Sequence, residues 1–153
     1  MQWLSDMIAN PFLLTAISSW LIAQILKAMI DAVVNRKFSL DRLLGDGGMP
    51  SGHSATVTSL AVFTALTYGT GSFPFAVSAV FAVVVCHDAM GVRQETGKQA
   101  VILNEIVKSF SILTEEKLPE VKLKEFVGHT PMQVIAGILL GTIQAFLMYY
   151  VIL

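Results

Sequence analysis

Apolar residues dominate four stretches of the chain, and polar residues collect between them. From Pro11 to Val34 the sequence is mostly apolar, with Gln24, Lys27 and Asp31 confined to its second half. A helix rises about 1.5 Å per residue, so this segment can cross a hydrocarbon core of about 30 Å with its polar end emerging. No charged residue occurs from Ser54 to Cys86. That run is too long for one ordinary span, and "YGTGSFP" (Tyr68 to Pro74) interrupts it: two glycines supply a turn and Pro74 can open the next helix. Two spans are therefore predicted, at roughly 53 to 69 and 73 to 90. A last charge-free segment, Met132 to Leu153, predicts a fourth. Residues 92 to 127 differ, carrying charges of both signs with Val101, Ile102, Ile106, Phe110 and Leu113 at helical spacing. This pattern fits an amphipathic helix at the membrane surface or a solvated helical loop.

Composition agrees. Of 153 residues, 54% are hydrophobic and 14% charged, with a mean hydropathy of +0.68. The expectation is a single all-α integral membrane domain of about four transmembrane helices with a cytoplasmic amphipathic helical insertion. The net charge of -1 says little about partners; a lipid bilayer is expected, nucleic acid is not, and the oligomeric state is left open. The lone cysteine, Cys86, excludes an internal disulfide and a multi-cysteine metal site, and its apolar run makes it a packing residue. With Asp6 and no basic segment at the N-terminus, a cleaved signal peptide is not expected. All ten Lys and Arg residues fall between Lys27 and Lys124. Four-span threading puts this region on the face opposite both termini, and the positive-inside rule makes that face cytoplasmic in the cell membrane.

The candidate chemistry gathers at the same boundary. "GDGGMPSGHSA" (Gly45 to Ala55) precedes the second span, so Ser51 and the amides of Gly52 and His53 lie at a helix N-terminus, where unpaired N–H groups and the positive dipole end favour an anion. Glycines at 45, 47, 48 and 52 would admit a ligand close to the backbone. "GHTPMQVIAG" (Gly128 to Gly137) opens the fourth span in parallel fashion, with Thr130 as N-cap, Pro131 at the first helical position and His129 just before them. "HDAMGVRQ" (His87 to Gln94) closes the third span with Asp88 and Arg93, and Lys27 lies near the same depth in the first. Two cations and two helix N-termini can hold a phosphate; one histidine can attack phosphorus while another protonates the leaving oxygen. Each residue also has a plain structural reading, with Lys27 snorkelling, Arg93 pairing with Asp88, and Ser51 as a simple N-cap.

On these residues the chain resembles the type 2 phosphatidic-acid phosphatase superfamily, which includes the vanadium-dependent haloperoxidases. It is most similar to the divergent membrane branch known as acid phosphatase/vanadium-dependent haloperoxidase related, from Gln24 to Gly141. The superfamily pattern is a lysine followed by an arginine, then PSGH, then an arginine followed by a histidine and an aspartate. PSGH is intact at Pro50 to His53. The resemblance implies that His129 is the nucleophile and His53 the general acid, while Ser51, Gly52, Lys27 and Arg93 bind phosphate. The departures are specific. Arg93 and His129 are 36 residues apart, as if residues 94 to 128 split the third motif. Gln133 stands where the family has the aspartate that orients the nucleophile, so Asp88 or Glu125 could take that role. Arg36 follows Lys27 at an irregular spacing and is given no role.

The expected function is that of a lipid phosphate phosphatase, acting without a cofactor on a phosphomonoester or diphosphate of a membrane lipid at the cytoplasmic leaflet through a phosphohistidine. The rival reading is a catalytically inactive protein that binds or moves phospholipid headgroups. A third, a metal site from His53, His87, His129 and Asp88, is disfavoured by the lack of any short His/Asp ligand pair beyond His87-Asp88.

Overall fold

The computed structural model describes residues 2–36, 48–114, 123 and 128–152. All its regular structure is helical: α1 (Gln2–Ile8), α2 (Pro11–Asn35), α3 (Gly52–Tyr68), α4 (Phe73–Met90), α5 (Val92–Thr114) and α6 (Pro131–Ile152). The helix starts follow local chemistry. Asn10 caps α2 by accepting from the amides of Phe12 and Leu13, Ser51 caps α3 through Ser54 N, and Ser72 caps α4 through Phe75 N. Pro11 and Pro74 stand in the first turns of their helices, where no intrahelical donor is lost. The expected boundaries agree to within a residue or so. The amphipathic segment is helical to Thr114; its remainder lies outside the described residues, apart from Leu123, whose backbone pairs with the Asn104 side chain.

Among the described residues, three stretches are long and apolar enough to cross a membrane: Pro11–Asn35, Phe73–Leu113 and Pro131–Ile152. The second comprises α4 and all of α5 but its last residue, joined at Gly91, whose N–H bonds to the His87 carbonyl while its own carbonyl accepts from Glu95. At 17 residues, α3 is shorter than these, and it is the centre of the bundle, packed against α2, α4 and α6.

Burial is inverted relative to a water-soluble core. The enclosed positions are mostly small or polar: Thr15, Ser19, Ala23, Ser54, Ala55, Ser59 and Ala145 among them. Large aliphatic and aromatic side chains such as Val80, Phe81, Val83, Leu139 and Val151 face outward. This is how helices pack in lipid, where apolar tails solvate the exterior and small residues permit close backbone approach. Gly137 and Gly141 of α6 lie against α3: a Cβ at Gly137 would come within 2.5 Å of the Ser51 carbonyl oxygen, and one at Gly141 within 2.4 Å of that of Ala55. Polar cross-links complete the packing, with Ser19 Oγ donating to the Ala55 carbonyl and Gln144 Nε2 to Ser18 Oγ.

The alternation of helix directions sorts residues between two ends. At one, Phe12 stacks on Tyr68 and meets Phe63 edge-on, and Phe63 meets Tyr149. At the other lie Lys27, Ser51, His53 and His129.

Candidate active site

The site is assembled by the N-terminal ends of α3 and α6, the last turns of α2 and the corner between α4 and α5. Ser51 is fully buried, and its Oγ accepts from both Ser54 N and Ser54 Oγ, which leaves its own hydroxyl proton available to a ligand. The backbone N–H of Ser51 donates to the Gln133 carbonyl (2.9 Å), tying the start of α3 directly to the first turn of α6. As a consequence the two histidines meet: the rings of His53 and His129 are 6.1 Å apart, centroid to centroid, at 61°.

His129 is buried and doubly anchored. Its backbone N–H donates to the Ala89 carbonyl at the end of α4 (2.9 Å), and its ring Nδ1 lies 3.1 Å from Gln133 Oε1. The same Gln133 oxygen accepts from Thr130 N (3.1 Å), while Thr130 Oγ1 accepts from Gln133 N (3.4 Å). This is a reciprocal capping box, T-x-x-Q. Because an amide N–H holds that side-chain atom as an oxygen, Nδ1 of His129 must be the donor, and the neutral ring carries its lone pair on Nε2. Gln133 therefore both starts α6 and selects the tautomer. The T-x-x-Q spacing was the sequence signal for this role.

The split motif closes in space. Gly128 has φ +92°, and a Cβ there would come within 2.5 Å of Gln94 N and 2.8 Å of the Arg93 carbonyl carbon. Only a glycine lets residue 128 lie directly on the Arg93–Gln94 peptide, which brings residues 35 positions apart into backbone contact. Arg93 itself bonds through Nε to Asp88 Oδ2 at 3.0 Å, with both side chains partly exposed. So Asp88 meets the guanidinium, and Gln133 is a partner of the His129 ring. Glu125, the other candidate for that role, lies outside the described residues.

Lys27 is 5% exposed, although its residue type is seldom enclosed. Its stem runs across Gly48, where an added Cβ would meet Lys27 Cγ at 3.1 Å, and Gly52 is covered by Trp20, at 3.4 Å from such a Cβ. The close approach expected of a ligand at these two glycines is thus made by side chains of α2; Gly45 and Gly47 lie outside the described residues. His87 is exposed at the end of α4, and among the described residues no three His, Cys, Asp or Glu side chains form a metal-binding group. Arg36 ends α2 in the left-handed conformation.

An apolar groove of about 360 Å³ leads away from His53 between α2, α3 and α4, lined by Ile17, Trp20, Thr56, Val57, Phe81 and Val85.

Comparison with known proteins identifies the family of the chain. The uncharacterized membrane protein YuiD of Bacillus subtilis (strain 168) is 38% identical over 154 residues, covering 95% of this chain and 98% of that protein. No solved structure matches. The model of the Divergent PAP2 family matches residues 8–144, a span that holds α2 through most of α6 and every residue of the site described above. This is a membrane protein, and it belongs to the Divergent PAP2 family.

Proposed function

We propose that the protein is a lipid phosphatase that hydrolyses a phosphomonoester or diphosphate of a membrane lipid at the cytoplasmic leaflet. The observation that carries this reading is the pairing of two imidazoles 6.1 Å apart, one of them held by Gln133 with its lone pair on Nε2. His129 Nε2 attacks phosphorus, the bond from phosphorus to the lipid oxygen breaks, and His53 gives its proton to that oxygen. Water, deprotonated by His53, then cleaves the phosphohistidine and releases phosphate. Lys27, the Ser51 hydroxyl, the first amides of α3 and the Arg93 guanidinium hold the phosphoryl oxygens, and Asp88 positions Arg93. The groove beside His53 supports a lipid substrate, because an acyl or prenyl chain can stay in apolar surroundings while its headgroup meets the histidines.

The chain threads the bilayer four times in this reading, with α3 as the short inner span. At about 1.5 Å per residue its 17 residues extend about 26 Å, enough for a span enclosed by three neighbours. Clustering of all ten basic residues between Lys27 and Lys124 supports a cytoplasmic histidine end with both termini opposite.

The rival role, binding or moving phospholipid headgroups without hydrolysis, draws on Gln133, since a neutral amide stabilises an imidazolium less than a carboxylate does. Phosphate release from a panel of lipid phosphates, with EDTA present, separates the two. Turnover by the wild-type chain and its loss in a folded His129→Ala variant is the expected result. Undiminished release by His129→Ala excludes His129 as the nucleophile.

A further inference from the structure

Gln24 takes no part in the chemistry described so far, yet it lies in α2 between Trp20 and Lys27, whose side chains cover the glycines at the start of α3. It is 8% exposed, and among the described residues its Oε1 is a fully buried side-chain atom with no hydrogen-bond partner. A buried amide left unsatisfied is destabilising, and folded proteins rarely keep one without a use for it. Its position follows from the register of the antiparallel helices α2 and α3. Ser19 Oγ reaches the Ala55 carbonyl, Trp20 covers Gly52, and Lys27 lies across Gly48. Gln24 is one turn beyond Trp20 and one turn before Lys27 in α2, buried like Lys27, at a level between the contacts that these two side chains make with Gly52 and Gly48.

We infer that Gln24 is a further oxyanion-binding residue, its carboxamide completing a pocket with Lys27, Ser51 and the N-terminus of α3. The amide is nearly symmetric in shape, so a half-turn about its last bond puts the N–H2 group where the orphaned oxygen stands. In that orientation it donates to a phosphoryl oxygen, and the unsatisfied group gains its partner only when the anion arrives. This assignment rests on the anion-binding part of the function proposed above.

The test uses the full chain purified in detergent, with orthovanadate and inorganic phosphate as probes and calorimetric titration as the readout. Gln24→Met keeps the buried volume and removes the orphaned group, so its melting temperature should equal or exceed that of the wild type. Its affinity for both anions should fall about tenfold, as expected for losing one hydrogen bond to a charged ligand. Gln24→Glu, the same shape with a negative charge and no donor, should bind more weakly still. A residue with a purely structural role predicts the same rise in melting temperature with no change in affinity. Wild-type affinity in folded Gln24→Met, or in Gln24→Glu, overturns the assignment. Anion binding by the wild type without lipid phosphate hydrolysis overturns the phosphatase reading and, given the weakened variants, sustains this one; no anion binding by the wild type overturns both.

Discussion

A single oxygen of Gln133 accepts from the Thr130 amide and from the His129 ring, so one side chain starts α6 and aims the imidazole. This converts an apparent defect of the family pattern into a specific chemical arrangement. The neutral amide fixes the tautomer as well as a carboxylate would, but in the proposed mechanism it would contribute less to the imidazolium-like charge that develops as Nε2 bonds to phosphorus. Gln133→Glu keeps both acceptor contacts and adds the charge. Under the proposed mechanism it should form the phosphohistidine about fivefold faster, corresponding to about 1 kcal/mol from a charge-assisted hydrogen bond, as measured by the rate of the initial burst of released lipid leaving group. Gln133→Leu should slow the same burst and lower the stability by about 1 kcal/mol through loss of the cap. The histidines, PSGH and Gln133 were all legible as residues in the sequence; that Gln133 faces Nδ1 of His129, and that Asp88 serves Arg93, depends on side-chain directions that linear spacing does not specify.

Helix packing decides how close the histidines come. Gly137 and Gly141, spaced G-x-x-x-G, let α6 approach the backbone of α3 at Ser51 and Ala55, where even one added carbon would come within about 2.5 Å of a carbonyl oxygen. Gly141→Leu should therefore push α6 off α3 and destabilise the bundle by about 1–3 kcal/mol or more, read as a drop in melting temperature in detergent. Because Ser51 N bonds to the Gln133 carbonyl at the same interface, the variant should also lose phosphate release. The helices themselves were foreseeable: charge-free length, the "YGTGSFP" break and the capping residues specify them locally. For the segment after α4, the amphipathic pattern agreed with α5 as far as Thr114. Its apolar positions Ile102, Ile106, Phe110 and Leu113 are exposed, which suits either a membrane surface or another apolar partner.

At the scale of the whole molecule, small and polar residues line the interior and large apolar ones the exterior, an arrangement that water would penalise and lipid does not. The proposed orientation places the turn at Gly69–Ser72 with the termini on one face, and α5 with the histidines on the other. Single cysteines introduced into a Cys86→Ala background as Gly71→Cys and Lys98→Cys should label from opposite sides of sealed membranes. With cells intact, a membrane-impermeant maleimide should reach Gly71→Cys and leave Lys98→Cys unmodified until the membrane is opened. Labelling of both from the same side would refute four-span threading.

The sequence by itself determined the membrane environment, the helical class and the points where helices start, because hydropathy, capping and proline effects act over a few residues and need no knowledge of the neighbours. It also marked the residue types able to handle phosphate. Only the tertiary structure decided which of them face one another. The 6.1 Å imidazole pair, the rejoining of Arg93 with the His129 loop through Gly128, and the enclosure of Gln24 beside Lys27 all arise from contacts between helices distant in the chain. Such contacts depend on packing distance and rotation, which small residues set at the helix interfaces and which the local pattern of hydropathy leaves open.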